Sequence, residues 1–172
     1  MKYQNSAGAV QAPDDTDDIA AGLRLSDANI NPATGLATDY LNHFNEAIML
    51  LELLPGCPDC LDDFLGWRPM SYREHFMASG FKGRELAIAA YDAADPHLRS
   101  CLDTLAGTMT AVLEATRAAM SADMPPAAAG VLADHAAAWL RPLVARAGAV
   151  IHGDADAALT DAQAMVDGLM KR

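Results

Sequence analysis

Residues 37–54, ATDYLNHFNEAIMLLELL, are the longest helix-compatible stretch with bulky apolar side chains, and they constrain the fold most. At 100° per residue, Ala37, Tyr40, Leu41, Phe44, Ala47, Ile48 and Leu51 share one broad face, as expected for a helix packed on a core. Asp39, Asn42, His43 and Glu46 occupy an arc of about 100° opposite. The second half breaks the division. Met49, Leu50, Leu53 and Leu54 fall on or near the arc that was polar two turns earlier. A helix apolar nearly all round needs cover, so Met49, Leu50 and Leu53 are expected to lie under later helices or under another molecule.

The flanking sequence places further helices. Thr34 or Thr38 can cap the first, and Pro55-Gly56 ends it. A short apolar segment, residues 61–67, leads to Pro69. Ser71 with Glu74 three residues on is a capping box, so a helix begins at Tyr72. Gly80 and Gly83 either bend that helix or divide it in two. Asp95-Pro96 starts the clearest stripe of the chain: Leu98, Cys101, Leu102, Leu105, Met109, Val112, Leu113, Thr116 and Met120. The next helix presents Leu132, Ala136, Trp139, Leu140 and Leu143, with a kink or break expected near Pro142 and a hinge over residues 148–154. Residues 155–170 read as a last amphipathic helix, and residues 19–25 as a short helical turn.

No run alternates with period two, so the chain is expected to be all-α, an up-and-down antiparallel bundle of four to five main helices. Residues 1–33 read as a flexible acidic N-terminal tail and loop, and residues 34–172 as a single bundle domain. The composition suits close-packed helices: 52% hydrophobic but only 6% aromatic. A net charge of −11 opposes binding to nucleic acid or to an anionic membrane surface. The polar N-terminus carries no secretory signal, and the longest purely apolar run, residues 47–51, cannot span a bilayer. A cytoplasmic protein is expected, and three cysteines do not make a secreted disulfide scaffold.

Three clusters carry candidate chemistry. Asp39, His43 and Glu46 lie three and four residues apart, so their side chains reach one face, where they could bind iron or zinc or serve catalysis, form a buried polar network, or simply meet solvent. The order His43-x-x-Glu46 reverses the Glu-x-x-His of di-metal bundles, and no second such pair exists. Cys57 and Cys60 form a C-x-x-C that could be half a zinc site, a redox pair or two incidental thiols, with His43, His75 or Cys101 as conceivable extra ligands. Arg68, Arg73, Lys82 and Arg84, beside Trp67, could receive an anionic group or an acidic partner segment, or pair with nearby glutamates. Motifs for nucleotide binding, zinc proteases, EF-hands and serine hydrolases are absent. The expectation is therefore a helical accessory or interaction protein that binds a protein partner, or itself, through an apolar helix surface. The alternative is a metal-binding bundle with His43 and Glu46 as ligands and redox or hydrolytic chemistry. Whether it is an enzyme is left open.

Overall fold

A computed structural model describes residues 15–120 and 124–154, with side chains from residue 21. The described chain is all-α. It contains α1 (Asp15–Asp27), a 3-10 turn (Thr38–Tyr40), α2 (Leu41–Leu53), α3 (Cys60–Gly66), α4 (Tyr72–Ala78), α5 (Arg84–Ala93), α6 (Pro96–Ala119) and α7 (Pro126–Ile151). Among the described residues the only β-type pairing is an isolated bridge between Ile30 and Ala37. The expected tail at residues 1–14 and the expected last helix at residues 155–170 lie outside the described residues.

The core is built on α2, α6 and α7, and α7 packs against both of the others. Antiparallel pairing of α2 and α7 follows from which residues meet. Gly130 lies against Pro55 at one end, Gly148 against Leu41 at the other, and Glu52 pairs with Arg141 between them. Phe44, Ala47 and Leu51 are fully buried on α2, and Leu102 and Met109 on α6. The α7 surface that meets them is mostly small: Ala129, Gly130, Ala133, Ala136, Ala137 and Ala147. Small side chains let helix axes approach closely, and the buried aromatics Phe64, Trp67, Tyr72 and Phe76 lie away from this seam, on α3, α4 and the segment between them.

Local signals account for most helix ends. The Ser71 hydroxyl accepts from the Glu74 N–H at 3.3 Å, while the Glu74 carboxylate accepts from the Ser71 N–H at 2.8 Å. Asp95 accepts from the N–H groups of His97 and Leu98, and Pro96 opens α6. The glycine pair separates α4 from α5 as two helices.

Four expectations are corrected. The first helix begins as a 3-10 turn without a threonine cap, because the Thr34 hydroxyl is engaged elsewhere, donating to the Ile151 carbonyl at 2.7 Å. Helix α7 runs through Pro142 and Gly148 to Ile151 without a break, held on both sides by α2 and α6. Trp139 faces outward, 58% exposed, since the inward face of α7 is the alanine face. Helix α1 starts at Asp15, inside the stretch expected to be tail.

Candidate functional site

The polar arc of α2 does not lie open to solvent along its whole length. His43 is 3% exposed, because the end of α3 closes over it. The Trp67 indole stacks on the imidazole, with ring centroids 4.7 Å apart and planes 22° from parallel. The indole N–H donates to the His43 carbonyl at 3.2 Å. The Trp67 carbonyl accepts from Arg117 at 2.6 Å and from Arg68 at 2.9 Å, so this one residue ties α3 to both α2 and α6.

His75, on α4, approaches from the other side, its ring centroid 6.0 Å from that of His43. Tyr40 packs edge-on against His75 at 5.8 Å. Burial first, and the neighbouring His75 second, pull the His43 pKa from the ordinary 6.5 to about 4, while the Arg68 backbone acts the other way. Burial also lowers the His75 pKa, against the opposing effect of a hydrogen bond to the Asp39 backbone and the charges of Asp39 and Glu46. Both rings are therefore neutral at pH 7. The His43 Nε2 is buried and has no hydrogen-bond partner.

A cleft of about 410 Å³ opens beside this ring. His43, Glu46 and Leu50 of α2 line it, with Asp63 of α3 and the Trp67–Arg68 corner opposite. Asp63 escaped the sequence reading, although it stands one helical turn before Trp67 and so belongs to the same face.

The sequence candidates separate into distinct places. His43 and Glu46 line one cleft, and His75 packs near the His43 ring, 6.0 Å between centroids, without lining that cleft. The Asp39 carboxylate instead accepts from Asn29 at 3.4 Å and Asn42 at 3.3 Å. Cys57 and Cys60 are free thiols side by side at the start of α3. A hydrogen bond with Cys57 raises the Cys60 pKa, with burial and the charges of Asp63 and Asp59 adding to it. Among the described residues, no three His, Cys, Asp or Glu side chains are grouped so as to hold a metal ion. The basic residues do not converge either. Arg73 pairs with Asp92 at 2.6 Å, Arg68 donates to the Leu65 and Trp67 carbonyls, and the two arginines line different recesses. Lys82 and Arg84 are exposed at the α4–α5 turn.

The apolar end of α2 stands next to the cleft. Met49 is 52% and Leu53 47% exposed, while Leu50 is half-buried at the cleft wall. Two further recesses lie among the described residues. One of about 490 Å³ is edged by Tyr40 and by Tyr91, whose hydroxyl donates to Asp103. The other, about 350 Å³, lies between α6 and α7 beside Trp139. No helix among the described residues is long and apolar enough to cross a membrane. Comparison with family models, curated proteins and solved structures finds no match.

Proposed function

We propose that this chain is a helical interaction protein that binds a second, different protein along the free face of α2. The carrying observation is that Met49 and Leu53 stand exposed, side by side one turn apart, on the helix whose other face is buried in the core. Exposed Leu and Met are common singly. A pair beside a cleft that already contains Leu50 is a continuous apolar edge, which favours a partner.

The charge around this edge favours a different protein over a second copy. Glu46 of α2 and Asp63 of α3 line the cleft beside it, and Asp59 and Asp62, at the start of α3, are exposed as well. In a twofold dimer the same acidic surface would meet itself, in a chain already carrying −11.

The test uses a Met49→Gln/Leu53→Gln variant. Both side chains are exposed and Gln is a good helix former, so the fold is expected to persist. A partner captured on the wild-type protein is purified and rebound to both forms, and the mass of each form is measured in solution. Affinity at least about tenfold weaker in the variant is expected. Equal affinity would refute the proposal, and a wild-type dimer dissociated by the variant would replace it with self-association.

A further inference from the structure

The cleft beside α2 is selective in its hydrogen bonding. Its unspent capacity is mostly of the accepting kind. Glu46 and Asp63 supply carboxylate oxygens, and carboxylates only accept. Arg68, the cation on the rim, commits its Nη1 to the Leu65 carbonyl at 2.7 Å and the Trp67 carbonyl at 2.9 Å, so its charge offsets one of the two carboxylates. His43 lines the cleft floor, and its Nε2, covered and with no partner in the protein, lies beneath that surface. A neutral imidazole has one donor and one acceptor nitrogen, and in the Nδ1–H tautomer this Nε2 accepts. Leu50 and Met70 supply apolar wall.

A group that only donates is the complement of such a site. Among side chains, Lys and Arg are the ones that carry several N–H donors, a positive charge and no acceptor. Their aliphatic stems suit an apolar wall, and their charge suits a recess flanked by two carboxylates. Asp59 and Asp62, both exposed at α3, extend the negative field outward.

We propose that the cleft between α2 and α3 is a binding site for a lysine or arginine side chain of the partner, so that the partner's docking segment is amphipathic, with apolar residues on Met49 and Leu53 and a cation between Glu46 and Asp63. This rests on the α2-face reading for its apolar half, and the cationic half is tested separately.

The probe is a labelled helical peptide of leucine and lysine, with leucine at i, i+3, i+4 and i+7, followed by fluorescence anisotropy at physiological salt. A matched peptide with glutamate in place of lysine serves as the counter-probe. Binding of the lysine peptide is expected, weakened about tenfold by Glu46→Gln/Asp63→Asn. A control with the same loss of charge at carboxylates that do not line the cleft, Glu85→Gln/Glu114→Gln, is expected to change it less than about twofold, because salt weakens exposed charges that do not touch the bound cation. All four carboxylates are exposed, so neither variant disturbs the core. Equal weakening by the two variants would reduce the effect to net charge and overturn the proposal. Failure of the lysine peptide to bind, or equal binding of the glutamate peptide, would also overturn it. Met49→Gln/Leu53→Gln reads the apolar half alone. If only that variant loses binding, the cationic site is wrong and the α2 face stands. If only the carboxylate variant does, the cationic site stands without the apolar edge.

Discussion

Acid should loosen this protein through His43 before its carboxylates titrate. The folded-state pKa of His43 is about 4, against 6.5 for the ordinary imidazole, because the ring is buried under Trp67 and beside His75. A base with a depressed folded pKa binds its proton more readily in the unfolded chain. Stability is therefore fully present above pH 6.5 and is lost as the pH falls toward 4. At pH 5 the unfolded imidazole is almost wholly protonated and the folded one mostly is not, which corresponds to about 2 kcal/mol lost relative to pH 8. The full loss approaches about 3 kcal/mol below pH 4. His75 shifts in the same direction and adds to the slope. The assay is urea unfolding of the wild type and His43→Leu between pH 8 and 5. Leucine keeps much of the volume and removes both the titrating group and the unpartnered Nε2, so at pH 8 the variant should lie within about 1 kcal/mol of the wild type. It should lose about 2 kcal/mol less than the wild type on going to pH 5. Parallel pH profiles would show that His43 is not held neutral by burial, and the account of the site would fail.

Three further perturbations probe the scaffold. Ser71→Ala removes the hydroxyl half of the α4 capping box and should cost about 1 kcal/mol in thermal or urea unfolding, and it should also bring the Glu74 pKa, now lowered by its bonds to the Ser71 hydroxyl and N–H, part of the way back up in a carboxyl NMR titration. Gly35→Ala meets two obstacles, a backbone φ of 72° and a new Cβ 2.8 Å from the Ala90 carbonyl oxygen; a loss of about 2 kcal/mol or more in unfolding free energy is expected. Thr34→Val keeps the shape but leaves the Ile151 carbonyl and the Leu36 N–H without their partner, which should cost about 1 to 3 kcal/mol, with faster amide exchange at Leu36.

The legible parts of the sequence were those whose signals are local. The stripe from Leu98 to Met120 specifies α6 because its period repeats over many turns, and Asp95-Pro96 and Ser71-x-x-Glu74 are complete caps in themselves. The site was legible only in part, because its decisive contact joins residues 24 apart. A helical wheel places His43 on the polar arc and has no knowledge of Trp67, so the burial of the ring was out of reach. The outward turn of Trp139 was hidden for a related reason. Hydrophobicity alone favours burying the indole, but α7 turns Ala136, Ala137 and Leu140 inward and leaves Trp139 on its outer side.

The alanine face of α7 sets a ceiling on what this chain can tolerate. Ala133, Ala137 and Ala147 are almost fully enclosed, and a larger side chain at any of them would have to push whole helices apart. The exposed side of α2 is under no such limit, since Met49 and Leu53 touch little that must move. Sequence drift among descendants of this chain should therefore be lopsided, with small residues kept at the α7 seam and the α2 edge free to change with whatever it meets.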